Sequence, residues 1–156
     1  MQDYLSRFPS GLHAQDSLTL LAELNRAGAE AAAVQRLKEQ KEQEQSRRVS
    51  DEQAVVKVLQ DFEAAYNQKD LGLLQKLWDG IPLATYRQQF REATNLTFQL
   101  QIQGRPSVQG DAAVAICTRS LNYKGQGGRA QTHTERIRAT LSRSGPTWVI
   151  RSLDVY

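Results

Sequence analysis

Leu96-Thr97-Phe98-Gln99-Leu100-Gln101-Ile102-Gln103 alternates one apolar with one polar side chain and stops at Gly104 and Pro106. A period of two means a strand with one buried and one wet face. Three more strands follow on the same logic. Asp111 to Lys124 is the second, turned by Gly125-Gln126-Gly127-Gly128 into Ala130 to Leu141. Gly145-Pro146 then turns the chain into Thr147 to Val155. Long strands joined by short glycine-bearing turns pair antiparallel. From Asn95 to Tyr156 the chain therefore reads as one antiparallel meander of four strands.

Upstream the period changes to that of helices. Ser50-Asp51-Glu52-Gln53 has the form of a capping box, with acids in the first turn. The helix it predicts, over 51–67, sets Val55, Val58, Leu59, Phe62, Ala65 and Tyr66 on one face. Asn67 to Asp70 reads as a polar turn, and Asp70 as the cap of a short helix carrying Leu71, Leu74, Leu77 and Trp78. Asp79-Gly80 ends it. Pro82 suits the first turn of a third helix, with Leu83, Tyr86 and Phe90 inward and Arg87 and Arg91 outward. Helices followed by a meander predict an α+β fold: three helices packed on the concave face of a strongly curved antiparallel sheet.

Residues 1–49 read as a separate helical connector before a domain spanning 50–156. Tyr4 to Gly11 predicts a short turn stopped by Pro9 and Gly11. His13 to Ala27 predicts a helix with a narrow Leu18, Leu21, Leu24 stripe that calls for a partner. Gly28 predicts a bend or break, with helix resuming over 29–48. Lys38 to Arg48 holds no apolar residue and reads as an exposed helical spacer.

The charge is uneven. Net charge is +3, and from Asp51 onward 13 basic residues face 10 acidic ones. Tyr86 to Tyr156 carries nine Arg and one Lys against four acids. No dense Lys/Arg cluster or recognised module accompanies this excess, so a solvated strand face is expected and nucleic-acid binding is not. Cys117 is alone, which excludes an intrachain disulfide and a Cys-pair metal site. His13 and His133 lack ligand-spaced partners, so neither a metal nor a cofactor is expected. No run of residues is long and apolar enough to predict a membrane span. Met1 leads directly into Gln2-Asp3-Tyr4, unlike a secretory leader, which favours a cytoplasmic setting while leaving room for an upstream anchor or signal.

Phe62-Glu63-Ala64-Ala65-Tyr66-Asn67-Gln68-Lys69-Asp70 and the closing Gly145…Trp148…Ile150…Leu153 strand, in this helix-then-meander order, resemble the nuclear transport factor 2-like superfamily, particularly its SnoaL-like bacterial members. The resemblance covers about two thirds of the chain. It implies a cystatin-like cone whose interior either binds a small apolar molecule or hosts general acid/base catalysis, in proteins that often dimerise or serve as accessory domains. One departure counts against catalysis. Enzymes of that family usually insert a strand pair between the second and third helices, and here only Asp79-Gly80-Ile81 intervenes. The Tyr4-Leu5…Arg7-Phe8-Pro9…Gly11…Ala14 pattern also resembles a half-repeat of the tetratricopeptide-like kind. Such repeats need about three copies to bury a core, which implies a piece of a longer protein.

The expected pocket walls are Phe62, Tyr66, Trp78 and Tyr86, with His133 and Glu135 near the rim. Aromatics at this helical spacing are more often simply core. His133 and Glu135 share the strand face of Ile137, Ala139 and Leu141, which places a base and its orienter side by side. The same two residues suit the wet end of a strand with no role. Two readings follow: a non-catalytic accessory domain binding a protein partner, a second copy or a small apolar molecule, within a larger bacterial protein; and a small SnoaL-like enzyme using His133 and Glu135 for acid/base chemistry.

Overall fold

The computed structural model describes residues 14–124 and 128–156. The tetratricopeptide-like stretch from Tyr4 to Gly11, His13 and the turn residues Gly125-Gln126-Gly127 lie outside them. The chain divides into two compact units, Met1–Ser46 and Arg47–Tyr156.

A single helix, α1 (Ala14–Asn67), runs for 54 residues. This corrects two expectations. Gly28 does not break the helix, and Ser50 does not start one. Ala, Arg, Gln, Glu, Lys and Leu on both sides of Gly28 are strong helix formers, and side-chain pairs at i, i+4 support it. Arg26 lies 3.2 Å from Glu30, and Gln35 donates to Glu39 at 2.9 Å. Extending a helix costs far less than nucleating one, so a capping sequence downstream of such residues is absorbed into the helix. In the first unit every residue from Ala22 to Ser46 is exposed.

In the second unit α1 ends where Lys69 adopts φ 57°. Its Nζ donates to the carbonyls of Phe90 at 3.0 Å and Ala93 at 3.2 Å, tying the turn to a later helix end. Asp70 accepts from Leu73 N at 3.0 Å and caps α2 (Leu71–Leu77), the role its sequence position predicts. After Gly80, at φ 83°, Pro82 precedes α3 (Leu83–Glu92).

The sheet has five strands: β1 (Thr94–Ile102), β2 (Ser107–Gln109), β3 (Ala112–Lys124), β4 (Ala130–Ser144) and β5 (Thr147–Val155). The order is β1-β3-β4-β5, with β2 also on β3, and every pair is antiparallel. The expected four strands are present. The fifth, β2, is only three residues long, too short to show an alternation. Register shifts lie between Thr94 and Thr97 and between Thr140 and Leu141. Such bulges bend a strand and increase its twist.

The core lies between the helices and the inner sheet face. Val55, Leu59, Phe62 and Tyr66 of α1 pack with Leu74 of α2 and Phe90 of α3. Opposite them lie Phe98, Ala113, Ala115, Cys117, Ile137, Ala139, Leu141, Trp148 and Ile150. Each large side chain so buried contributes roughly 1.5–3 kcal/mol.

Polar side chains fasten helix to sheet at two points. Asn67 donates from Nδ2 to Phe98 O at 2.8 Å and accepts Phe98 N–H on Oδ1 at 2.7 Å, so its amide imitates a neighbouring strand. One turn earlier Glu63 accepts Leu100 N–H at 2.8 Å. At the other end Arg143 pairs with Asp51 and lies 4.8 Å from the centre of the Trp148 ring.

Candidate functional site

Phe62, Tyr66, Tyr86, His133 and Glu135 line one cavity of about 280 Å³ in the second unit, together with Gln89, Phe98, Arg119, Leu121, Tyr123 and Leu153. Helix α1 supplies Phe62 and Tyr66 from adjacent turns of one face, and α3 supplies Tyr86 and Gln89. The inner face of the sheet supplies the remainder by its period of two: Phe98 on β1, Arg119, Leu121 and Tyr123 on β3, His133 and Glu135 on β4, and Leu153 on β5.

The aromatic wall is tightly coupled. Tyr66 stacks on Phe98 with centroids 4.3 Å apart and meets Phe90 edge-on at 5.1 Å. Tyr86 meets Tyr66 edge-on at 5.7 Å, and Phe62 meets Phe98 the same way at 5.7 Å. Edge-to-face contacts of this kind add to simple burial and hold the rings in place. Trp78 is not among the lining residues, which corrects its expected place. It stands behind the wall, 5.8 Å from Phe62 and 6.1 Å from Tyr86, with its indole N–H donating to Arg151 O at 3.3 Å.

The polar wall is built around Arg119. This residue and Glu135 are direct cross-strand partners, and their side chains form an ion pair. Glu135 is therefore engaged by Arg119 and not by His133, so the expected base-and-orienter pair does not form. His133 is exposed at the rim and stacks on Tyr123 with centroids 6.2 Å apart. Burial raises the pKa of the Tyr66 phenol, the nearby Tyr86 adds to this, and Arg119 and a hydrogen bond with Gln89 oppose it. Tyr86 is raised by burial as well, again opposed by Arg119. Both phenols thus stay neutral across the physiological range. The cavity offers an aromatic and aliphatic floor, neutral hydroxyls and a self-neutralised ion pair.

Arg119 is the residue that sequence reasoning missed. The signal was present: along Ala113, Ala115, Cys117, Arg119 and Leu121, it is the one charge on an otherwise apolar inward face. A charge there needs a facing partner, and Glu135 is two residues beyond the inward Ile137 of the neighbouring strand. Cys117 is a small packed residue with no exposure, and burial pushes its thiol up to about 11. Arg136, Arg138 and Thr134 point to the other face of β4 and are exposed. Among the described residues no group of three or more His, Cys, Asp or Glu side chains is arranged to hold a metal ion. No helix among them is long and apolar enough to cross a membrane.

No protein-family model and no curated protein matches the sequence. Solved structures do match. A protein of the nuclear transport factor 2-like family from Streptomyces avermitilis, titled as a candidate dehydratase, is 18% identical with a TM-score of 0.57, over 66% of this chain and 93% of that one. A nuclear transport factor 2-like protein with a cystatin-like fold from Novosphingobium aromaticivorans is 17% identical with a TM-score of 0.56, over 71% and 84%. A hexachlorocyclohexane dehydrochlorinase is 12% identical with a TM-score of 0.55, over 70% and 86%. The chain thus has the nuclear transport factor 2-like, cystatin-like fold.

Proposed function

We propose that residues 47–156 form a non-catalytic binding domain whose cone takes a small, mostly apolar ring-bearing group, as an accessory module of a larger bacterial protein. The observation that carries this reading is the engagement of Glu135 by Arg119 within an aromatic-floored cavity. Glu135, the carboxylate among the lining residues, has its Oε2 held by Arg119 and not by His133, so His133 lacks the orienting carboxylate of an acid/base pair. Among the described residues His133 stacks on Tyr123 and makes no side-chain hydrogen bond to a carboxylate or carbonyl that would set its tautomer. What remains is a concave, largely apolar site with a few polar groups, the common form of a ligand pocket. The cavity volume suits one ring.

Titration calorimetry with p-cresol tests this. Saturable binding is expected, abolished when Leu121→Trp fills the cavity and changed less than about twofold by His133→Ala. Absence of binding to the wild-type chain would remove the ligand from this reading.

The second reading is an acid/base enzyme, favoured by the presence of a dehydrochlorinase among the structural neighbours and by His133 at the rim. Turnover of a small-molecule substrate that vanishes in His133→Ala, with the circular dichroism spectrum unchanged, would establish it over the first.

A further inference from the structure

Arg119 and Glu135 both line the cavity, and they carry opposite charges. They face each other as direct cross-strand partners, and the pair joins Nη2 of Arg119 to Oε2 of Glu135. Their side chains stay 28% and 38% exposed, so neither charge is sealed off from a molecule in the cavity. A guanidinium has further N–H donors, and a carboxylate has a second oxygen. Among the described residues no other hydrogen bond or ion pair engages either side chain. The cavity therefore presents, side by side, spare N–H donors and a spare carboxylate oxygen next to an aromatic and aliphatic floor. Together the two charges cancel.

We propose that the Arg119–Glu135 pair reads the polar head of the bound ring, and that this head is a neutral amide edge, either a primary carboxamide on the ring or a lactam within it. The proposal rests on the pocket reading above and names the chemical class of its ligand. An entering ligand displaces the water that satisfies the spare groups, and a head that cannot replace those bonds loses affinity. A hydrocarbon edge replaces none of them, and a ketone or ether serves only the donor side. A charged head fails for another reason. A carboxylate that approaches Arg119 meets Glu135 as a like charge, and an amidinium that approaches Glu135 meets Arg119. Each ion also gives up hydration of its own on entering a half-closed site. The phenols of Tyr66 and Tyr86 are neutral and leave this balance untouched. A neutral edge with C=O and N–H adjacent serves both partners: its oxygen accepts from Arg119 while its N–H donates to Glu135. Hydrogen bonds to ionised groups are the strong kind. In a trans peptide the N–H and C=O point to opposite sides, so a backbone segment fits poorly. A primary carboxamide and a lactam each present both groups on one side.

Benzamide, benzoate and benzamidinium share one outline and differ in charge and donors. Titration calorimetry of the full chain at neutral pH with these three, and with p-cresol, isolates the head. Benzamide is expected to bind about tenfold or more tightly than either ion and than p-cresol. It should compete with p-cresol and be lost in Leu121→Trp. Acetophenone keeps the C=O but puts a methyl in place of the amide nitrogen, and is expected to lose the advantage. 2-Pyridone carries the same edge within its ring, and the tighter of it and benzamide assigns the head to lactam or carboxamide. The charge variants should invert the ranking. Glu135→Gln leaves Arg119 without its countercharge and is expected to favour benzoate, whereas Arg119→Gln is expected to favour benzamidinium. The wild-type ranking and acetophenone need no variant, so the test holds if either variant fails to fold. If p-cresol binds and neither amide gains over it, the amide head is overturned and the pocket reading stands. An ion or acetophenone that matches the amides in the wild type overturns the head as well. If an amide binds and p-cresol does not, the head stands and the mostly apolar reading falls. If no ring compound binds, both fall.

Discussion

Asn67 shows how much one polar side chain does at the helix–sheet junction. Its amide satisfies both the N–H and the C=O of Phe98, whose ring lies under Tyr66. Asn67→Ala leaves two edge groups without protein partners and should cost about 1–3 kcal/mol in denaturant melts. Asn67→Asp, which cannot donate to the carbonyl, should recover only part of that. The buried phenols set a pH limit. Tyr66 has a folded pKa raised above the usual 10.0, chiefly by burial. The stability this represents is complete below pH 10 and declines as pH rises from there through the folded value, because the unfolded chain ionises first. Thermal midpoints should therefore fall above pH 10, and less steeply in Tyr66→Phe. Cys117 acts in the same direction, with its thiol raised to about 11, and should resist thiol reagents until the domain unfolds.

At the scale of elements, two capping sequences that look alike behave differently. Asp70 follows a turn closed by Lys69 at positive φ, so the chain re-enters helix at Asp70 and its carboxylate is needed there. Ser50 lies inside α1 and is exposed. Asp70→Ala should therefore cost about 1 kcal/mol, whereas Ser50→Ala should be neutral or stabilising by about 0.5 kcal/mol. Equilibrium urea melts of the two variants distinguish them, and a loss at Ser50 equal to that at Asp70 would mean that a helix does start there. Gly28 makes the same point from the other side. A Cβ at this helical position meets nothing within 4 Å, so Gly28→Ala should raise helicity in far-ultraviolet circular dichroism. Sequence reading located nearly every element of the second unit, because caps and periodicity are local signals. It misjudged the joins within α1 because a break there depends on a balance of a few tenths of a kcal/mol per residue, summed over both flanks.

For the whole molecule, the second unit contains its own core and its own polar fastenings, including the Asp51–Arg143 pair. A chain starting at Arg47 should keep a cooperative melt and the near-ultraviolet spectrum of its buried aromatics. A broad, non-cooperative transition would mean that residues 1–46 belong to the core. The candidate site was legible in part. Phe62, Tyr66 and Tyr86 were readable as inward residues of helices, and His133 and Glu135 as inward residues of a strand. That they surround one cavity depends on the crossing of α1 and α3 over the sheet, which no local period encodes. The sequence alone determined which side chains point inward, where most strands begin and end, and that the sheet is antiparallel. Those properties follow from steric and hydrophobic periods a few residues long. Tertiary structure alone decided that Arg119 meets Glu135 and that Trp78 stands behind the wall. The first is a matter of strand register and the second of where α2 ends against the sheet, both set by contacts between residues far apart in the chain.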